Sequence, residues 1–268
     1  MMVVVLHRPL ALAATLAFVL VACSPSGGGT DTTPSSQPSV TEEPTGPTGD
    51  DVTESPRPEP EPLLPDDGFF VALPDERYTP MWNRPGSSDQ PDFAFDTHNP
   101  FQQTAPLLIE DAVRRDGEAW YELLLPLRPN GTTAWVHEDD IRIQRRQERV
   151  EVDLSKRMLW HFSGDELVER FKVGVGTDQF PTGTGQFYIW VKVPYENPNN
   201  PYGIMALGLS GFSPVLSDWP GEGRMAVHGT PHSSDRGQKV SHGCVRVFND
   251  DMRALVDLPL GTPVEIRK

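Results

Sequence analysis

The residues best suited to chemistry lie in one stretch near the C-terminus, between His228 and Arg246. A cysteine thiol with an ordinary pKa of about 8.5 is mostly protonated at neutral pH, so it needs a neighbouring base or cation before it attacks a carbonyl. An imidazole suits this task best. The stretch supplies His242-Gly243-Cys244, with His228 sixteen residues upstream of the thiol. The pattern predicts a cysteine nucleophile assisted by a histidine.

Attack by a thiolate on an amide carbonyl creates a tetrahedral oxyanion, which must be stabilised by hydrogen-bond donors aimed at it. Backbone N–H groups in a turn can serve, because glycine lets the backbone approach closely. We therefore expect the turn around Gly243 to carry both the nucleophile and the donors. His228 is far enough away along the chain to come from a neighbouring strand.

Cysteine usage supports a reactive thiol. The chain has two cysteines, Cys23 and Cys244. Residues 1–22 resemble a secretory signal, with an apolar run from Leu10 to Ala22 that is too short to span a bilayer comfortably. Its end, Leu20-Val21-Ala22-Cys23, resembles a bacterial lipobox, which implies a lipid on Cys23 and a membrane-anchored protein outside the cytoplasm. The alternative is an ordinary cleaved signal with a chance cysteine. If Cys23 carries lipid, Cys244 is a lone thiol in an exported protein, where cysteines usually form disulfides.

Residues 23–65 read as a disordered linker behind that cysteine. Between residues 24 and 65 the chain has ten of its 28 prolines and no aromatic residue, so it cannot bury enough apolar surface to offset its ordering entropy. The net charge of −15 is concentrated there in part, since residues 24–67 hold ten acidic residues and one arginine. An acidic chain without a basic patch argues against a nucleic-acid partner.

The remaining residues suit two small β-rich domains, at 66–146 and 147–268. Short aromatic and β-branched runs are separated by turn residues, as in Trp120-Tyr121-Glu122-Leu123 followed by Pro129-Asn130-Gly131. In the second domain the turn Ser163-Gly164-Asp165-Glu166 predicts a hairpin, and Asn249 or Asp250 could cap a short helix that Pro259 ends. We expect a mostly β protein with one or two short helices.

Two family resemblances sharpen this picture. Residues 66–146, through Met81-Trp82-Asn83-Arg84-Pro85-Gly86 and Trp135-Val136, resemble a bacterial SH3-like β-barrel domain. The pattern His228-Gly229-Thr230 followed by Ser241-His242-Gly243-Cys244-Val245-Arg246 resembles the YkuD-type L,D-transpeptidases. This second likeness covers about 120 residues and implies a β-rich sandwich, with a lid over the site at roughly 195–222.

The transpeptidase resemblance implies a role for each matching residue. It makes Cys244 the nucleophile and His228 the proton acceptor and donor, with the Gly229 carbonyl orienting the imidazole. It assigns the oxyanion hole to the backbone N–H groups of Gly243 and Cys244. The remaining residues support the site: His242 assists, while Arg246 and Ser241 bind substrate or, for Arg246, hold the motif loop.

The resemblance also implies a reaction without a metal or organic cofactor. The enzyme would cleave a peptidoglycan stem tetrapeptide before its terminal D-alanine, hold the rest as a thioester, and form a 3→3 cross-link to a second stem peptide. Carbapenem-type β-lactams would acylate the same cysteine. Alternatives are an L,D-carboxypeptidase, a transpeptidase that attaches proteins to the wall, and an inactive wall-binding protein. A zinc site built from His228, His232, His242 and Cys244 has suitable ligand types but matches no closed metal-binding spacing.

Overall fold

Strands dominate the structure, a computed structural model that describes residues 62–65, 67–86, 90–218 and 221–268. The signal peptide, Cys23 and nearly all of the linker predicted from the sequence lie outside these residues. No helix in the described part of the chain is long and apolar enough to cross a membrane. The prediction of a mostly β fold with one or two short helices is confirmed.

The first sheet is built from the short aromatic and β-branched runs between residues 69 and 146. The strands are β1 (Phe69–Pro74), β2 (Tyr78–Met81), β3 (Phe93–Asp96), β4 (Leu107–Arg115), β5 (Glu118–Leu124), β6 (Thr133–His137) and β7 (Ile141–Arg146). Five of them pair antiparallel in the order β6-β5-β4-β1-β7, and β2 and β3 form a separate hairpin. Trp120 in β5 is buried, as expected for an aromatic that belongs to the core.

The second sheet begins after Gln147 and carries the predicted chemistry. Its strands and helix are β8 (Glu148–Asp153), β9 (Met158–Ser163), β10 (Glu166–Lys172), β11 (Val175–Gly176), β12 (Gly185–Pro194), β13 (Met205–Phe212), β14 (Arg224–Thr230), β15 (Lys239–Ser241), β16 (Val245–Phe248), α1 (Asn249–Met252) and β17 (Pro263–Arg267). Eight strands follow the order β10-β9-β8-β17-β12-β13-β14-β16, and β11 pairs with β15 beside them. The pairs β17–β8 and β14–β16 are parallel.

Apolar side chains from these strands alternate into a buried core, as half-buried strands require. The core of the second sheet includes Val152, Leu159, Ile189, Leu209 and Val247. Strand β12 serves both cores, because Tyr188 packs among the side chains of the first sheet and donates its hydroxyl hydrogen to the Leu124 carbonyl at 3.2 Å.

Two local predictions from the sequence met different outcomes. The hairpin at residues 163–166 is confirmed, with Ser163 ending β9 and Glu166 starting β10. The predicted cap is wrong, because Asn249 and Asp250 both lie inside α1, which Phe248 precedes, and the Asn249 amide is used elsewhere. Its Oδ1 accepts the Ile204 N–H at 3.2 Å, and its Nδ2 donates to the Pro198 carbonyl at 2.8 Å. The predicted helix end at Pro259 is wrong too, since α1 ends at Met252.

Candidate active site

The parallel pairing of β14 with β16 brings the predicted nucleophile and base together. The register places His228 opposite Arg246. Because side chains two residues apart along a strand share a face, Cys244, just before β16, continues the face of Arg246, and Ala226 continues the face of His228. Both His228 and Cys244 line one cavity of about 290 Å³.

His228 is held in one orientation by its own strand. Its side chain is 3% exposed, and Nδ1 lies 2.7 Å from the Gly229 carbonyl oxygen. A carbonyl oxygen only accepts, so Nδ1 carries the proton and Nε2 is left as the acceptor. Burial lowers the pKa of His228 to about 4, although the Gly229 hydrogen bond opposes that change. The imidazole is therefore neutral at physiological pH, as a general base must be.

Cys244 is partly exposed within the cavity. Burial raises the pKa of its thiol, while a backbone hydrogen bond from Ala226 and the charge of Arg246 act in the opposite direction. The thiol is thus protonated at neutral pH. A protonated thiol beside a neutral imidazole is suited to proton transfer during attack rather than to a preformed ion pair.

The turn that presents the thiol is fixed by Ser241. Its buried hydroxyl donates to the Cys244 carbonyl at 2.6 Å and accepts the Gly243 N–H at 3.2 Å. Gly243 has φ +117°, a backbone conformation that residues other than glycine rarely adopt. The resemblance implies that Ser241 binds substrate, but in this structure its hydroxyl makes two hydrogen bonds that stabilise the turn, one to the Cys244 carbonyl and one from the Gly243 N–H.

Arg246 pairs with a residue that the sequence analysis missed. Its Nη1 lies 3.2 Å from Oδ2 of Asp235, and the same oxygen accepts the Thr230 hydroxyl at 2.9 Å. Asp235 is buried and lies in the connection between β14 and β15. The pair, together with Thr230, ties β14, the strand of His228, to β16, which follows Cys244. An Asp five residues after a His-Gly-Thr motif was the available signal, but its partner depends on how the connection folds.

Tyr202 is a second residue that the sequence analysis did not single out. Its ring contacts the His228 ring edge to face, with centroids 5.0 Å apart, and stacks on Tyr195. The turn that carries it fits closely against the base: a Cβ on Gly203 would lie 2.1 Å from Asn249 Oδ1 and 2.4 Å from the Gly229 carbonyl carbon. Asn249 therefore fixes the Tyr202 turn against the strand that orients His228.

His242 lies at the mouth of the cavity. It is exposed, and its ring packs on Phe180 with centroids 4.7 Å apart. Unlike His228, it is not enclosed by the sheet. In the described residues, the His, Cys, Asp and Glu side chains form no group of three or more that could hold a metal ion, so the four candidate zinc ligands are not assembled there.

The expected lid over residues 195–222 is wrong for its central part. Residues 205–212 form β13, which is buried between β12 and β14. Among the described residues here, the flanking loops alone reach the cavity, through Pro201 and Tyr202 on one side and through Ser213, Leu216 and Gly223 on the other. The alternation of small and apolar residues in Met205–Phe212 is a strand pattern.

Comparisons with known proteins match the part of the chain that carries this site. The family model for the L,D-transpeptidase catalytic domain, YkuD, matches residues 147–266. The putative L,D-transpeptidase YkuD of Bacillus licheniformis is 34% identical over 119 residues, which cover 44% of this chain and 64% of the relative. The probable L,D-transpeptidase ErfK/SrfK of Salmonella typhimurium is 29% identical over 160 residues, covering 52% of this chain and 50% of that protein. The chain thus spans less than two thirds of each of these relatives.

Among solved structures, the L,D-transpeptidase of Xylanimonas cellulosilytica is 24% identical and covers 46% of this chain and 61% of its own, with a TM-score of 0.35. The family model and the sequence relatives show that residues 147–266 are similar to L,D-transpeptidase catalytic domains of the YkuD family.

Proposed function

We propose that this chain is a peptidoglycan L,D-transpeptidase that forms 3→3 cross-links through a thioester on Cys244. The observation that supports this most directly is the pairing of two neutral groups in one cavity. The Cys244 thiol needs a proton acceptor, and His228 lines the same cavity. Nδ1 of His228 is hydrogen-bonded to the Gly229 carbonyl, which leaves Nε2 to accept the thiol proton.

In the first half-reaction, Nε2 of His228 takes the thiol proton as the sulfur attacks the carbonyl of the third residue of a stem tetrapeptide. The resulting oxyanion collapses, the bond to D-alanine breaks, and the imidazolium protonates the departing amine. A thioester remains on Cys244. In the second half-reaction, the side-chain amine of another stem's third residue attacks the thioester and loses its proton to His228. The new amide forms, and the thiol leaves with the proton.

The backbone N–H groups of Gly243 and Cys244 are the proposed oxyanion donors. In the resting site the Gly243 N–H donates to Ser241 Oγ at 3.2 Å, which is at the long end for a hydrogen bond. A developing oxyanion is the stronger acceptor, since hydrogen bonds to charged groups are roughly twice as strong as neutral ones. We therefore propose that the Gly243 N–H exchanges its bond to Ser241 for one to the oxyanion during attack.

The group that attacks the thioester distinguishes the proposed cross-linking enzyme from two related activities. If water attacks the thioester, the protein is an L,D-carboxypeptidase, and if a protein amine attacks, it attaches proteins to the wall. Both share the Cys244 chemistry. An inactive wall-binding protein would instead form no thioester.

Mass spectrometry of muropeptides after incubation with a tetrapeptide substrate tests the proposal. Wild-type protein should release D-alanine and yield dimers with a 3→3 bond, and Cys244→Ala should yield neither. A carbapenem should add its mass to wild-type protein and leave Cys244→Ala unmodified. Release of D-alanine without dimers would favour the carboxypeptidase, and an adduct on Cys244→Ala would contradict the nucleophile.

We also propose that the protein is anchored outside the cytoplasmic membrane by a lipid on Cys23. The proposal rests on Leu20-Val21-Ala22-Cys23 and on the composition of the residues behind it. The mass of the mature N-terminus tests it. A diacylglyceryl adduct on Cys23 would support the anchor, and cleavage elsewhere with an unmodified Cys23 would refute it.

A further inference from the structure

The loop between β5 and β6 of the first sheet reaches the wall of the candidate active site. This loop, residues 125–132, touches the connection between β13 and β14, of which residues 213–218 and 221–223 are described. We call these described residues, 213–218 and 221–223, the wall loop. Two side chains of the first sheet's loop, Arg128 and Asn130, make the polar contacts.

Arg128 gathers three backbone carbonyls of the wall loop. Its Nη1 donates to the Ser213 carbonyl at 3.2 Å, and its Nη2 donates to the Leu216 and Glu222 carbonyls at 2.8 and 2.7 Å. The three carbonyls belong to both arms of the wall loop, so one guanidinium joins the two arms. A planar fork with fixed donor directions suits this arrangement, whereas a lysine ammonium would act as a point charge.

The side-chain amide of Asn130 hydrogen-bonds to the backbone at the end of β13, as a neighbouring strand would. Its Oδ1 accepts the Phe212 N–H, and its Nδ2 donates to the Phe212 carbonyl, both at 2.8 Å. The guanidinium of Arg128 lies 4.5 Å from the centre of the Phe212 ring, and that of Arg224 lies 4.2 Å from it. The residue just before the wall loop is thus fixed through its backbone and its ring.

The wall loop in turn forms one side of the Cys244 cavity. Ser213, Leu216 and Gly223 line it. Ser213 closes the loop on itself, with its N–H donating to the Gly223 carbonyl at 2.7 Å and its Oγ accepting the Leu216 N–H at 3.1 Å. Ser213 Oγ also lies 3.7 Å from the place where a Cβ on Gly243 would stand. A shift of the wall loop would therefore change the space beside the nucleophile.

We propose that Arg128 and Asn130 are positioning residues for substrate binding, which act by holding the wall loop against the Cys244 cavity. The first sheet is then part of the substrate site, although it contributes no group to the chemistry. This inference rests on the proposed transpeptidase function for its substrate, but its structural half can be tested without that function.

Hydrogen exchange tests the hold on the wall loop. In Arg128→Ala and Asn130→Ala, amides of residues 212–218 should exchange faster than in wild-type protein, because local opening costs less free energy once their anchors are removed. Arg142→Ala is the matched control, since Arg142 is also an exposed arginine of the first sheet and pairs with Asp75, away from the wall loop. It should leave exchange at 212–218 unchanged. Unchanged exchange in both loop variants would overturn the proposal.

Kinetics tests the consequence for substrate. Arg128→Ala should raise KM for the tetrapeptide about tenfold and change kcat less than about threefold, as expected when substrate binding is weakened and the reacting groups are intact. Arg128→Lys should behave more like Arg128→Ala than like wild type, because it keeps the charge and loses the fork. Faster exchange with an unchanged KM would overturn the positioning role, and so would a loss confined to kcat.

Labelling of Cys244 with thiol reagents tests the role of the wall loop even if the proposed transpeptidase function is wrong. If wild-type protein does not consume the tetrapeptide, Cys244 can still be labelled with iodoacetamide and with a bulky maleimide. Arg128→Ala should accelerate the bulky reagent severalfold relative to iodoacetamide. Asn130→Asp should do the same, because it keeps the Oδ1 acceptor but sets a carboxylate oxygen against the Phe212 carbonyl in place of the Nδ2 donor. An unchanged ratio of the two rates in both variants would contradict the role of the loop in shaping the cavity.

Discussion

Arg246 Nη1 lies 3.2 Å from Asp235 Oδ2, and this contact joins β16, which follows Cys244, to the connection that follows β14, the strand of His228. The Asp235 side chain is 11% exposed and that of Arg246 is 27% exposed. The same carboxylate oxygen accepts the Thr230 hydroxyl. Of the two roles that the family resemblance offers for Arg246, this geometry favours holding the motif in place.

Asp235→Asn should destabilise the protein by about 2–3 kcal/mol, because it removes the charge that Arg246 and Thr230 share in a partly buried site. Urea unfolding measures the change. Asp178→Asn is the matched control, since Asp178 pairs with Lys239 on the surface and its side chain is 89% exposed. That variant should change the free energy of unfolding by less than about 0.5 kcal/mol. Equal losses in the two variants would contradict the role of Asp235.

His228→Ala should slow acylation of Cys244 by a factor of about 10²–10⁴, because the thiol then lacks its general base. His242→Ala should cost less, since that ring is exposed at the cavity mouth against Phe180. Single-turnover acylation by a carbapenem, followed by mass spectrometry, compares the two variants. The reverse ranking would exchange the roles of the histidines.

The buried His228 imidazole makes stability depend on pH. The pKa of His228 falls from its ordinary 6.5 to about 4 in the folded protein. The unfolded chain therefore binds more protons between these values, and stability falls as pH decreases from about 6.5 to about 4. The full effect is on the order of 3 kcal/mol. His228→Gln should lose less stability than wild type over this interval in urea unfolding at several pH values, and parallel curves would show that His228 is not the group responsible.

Gly203→Ala should destabilise the protein more than Gly117→Ala. Both glycines have positive φ, +62° and +94°, so both variants strain the backbone by on the order of 1 kcal/mol. A Cβ at Gly117 would meet nothing within 4 Å, whereas a Cβ at Gly203 would meet Asn249 and the Gly229 backbone. Only Gly203→Ala should also slow acylation, since Gly229 orients His228. Thermal unfolding and acylation rates measure the two effects, and equal behaviour of the variants would contradict the close fit.

Sequence patterns predicted the features that depend on neighbours along the chain. The 163–166 hairpin follows from turn residues between two apolar runs, and the turn that presents Cys244 follows from the short motif His242-Gly243-Cys244. Asp235 was missed because its partner is set by the folded course of residues 231–240. Long-range contacts leave no local periodicity to read.

Long-range contacts also explain why the expected lid was wrong and why the sequence analysis did not identify Arg128. Residues 205–212 were assigned to a lid from the family resemblance, but they fill the centre of a sheet, between strands that the sequence alone does not order. Arg128 binds carbonyls 85 to 94 residues away in the chain. Its surroundings in the sequence resemble an ordinary surface turn.

The parallel register of β14 and β16 has a consequence for how this site tolerates change. The spacing between His228 and Cys244 is set by hydrogen bonds between two adjacent strands, so the length of the connection from residue 231 to residue 238 need not determine it. Insertions there would leave the reacting pair in place, provided that Asp235 still reaches Arg246. A slip of one residue in β16, in contrast, would turn Cys244 to the opposite face of the sheet. The connection is thus open to evolutionary variation, while the strand pairing is not.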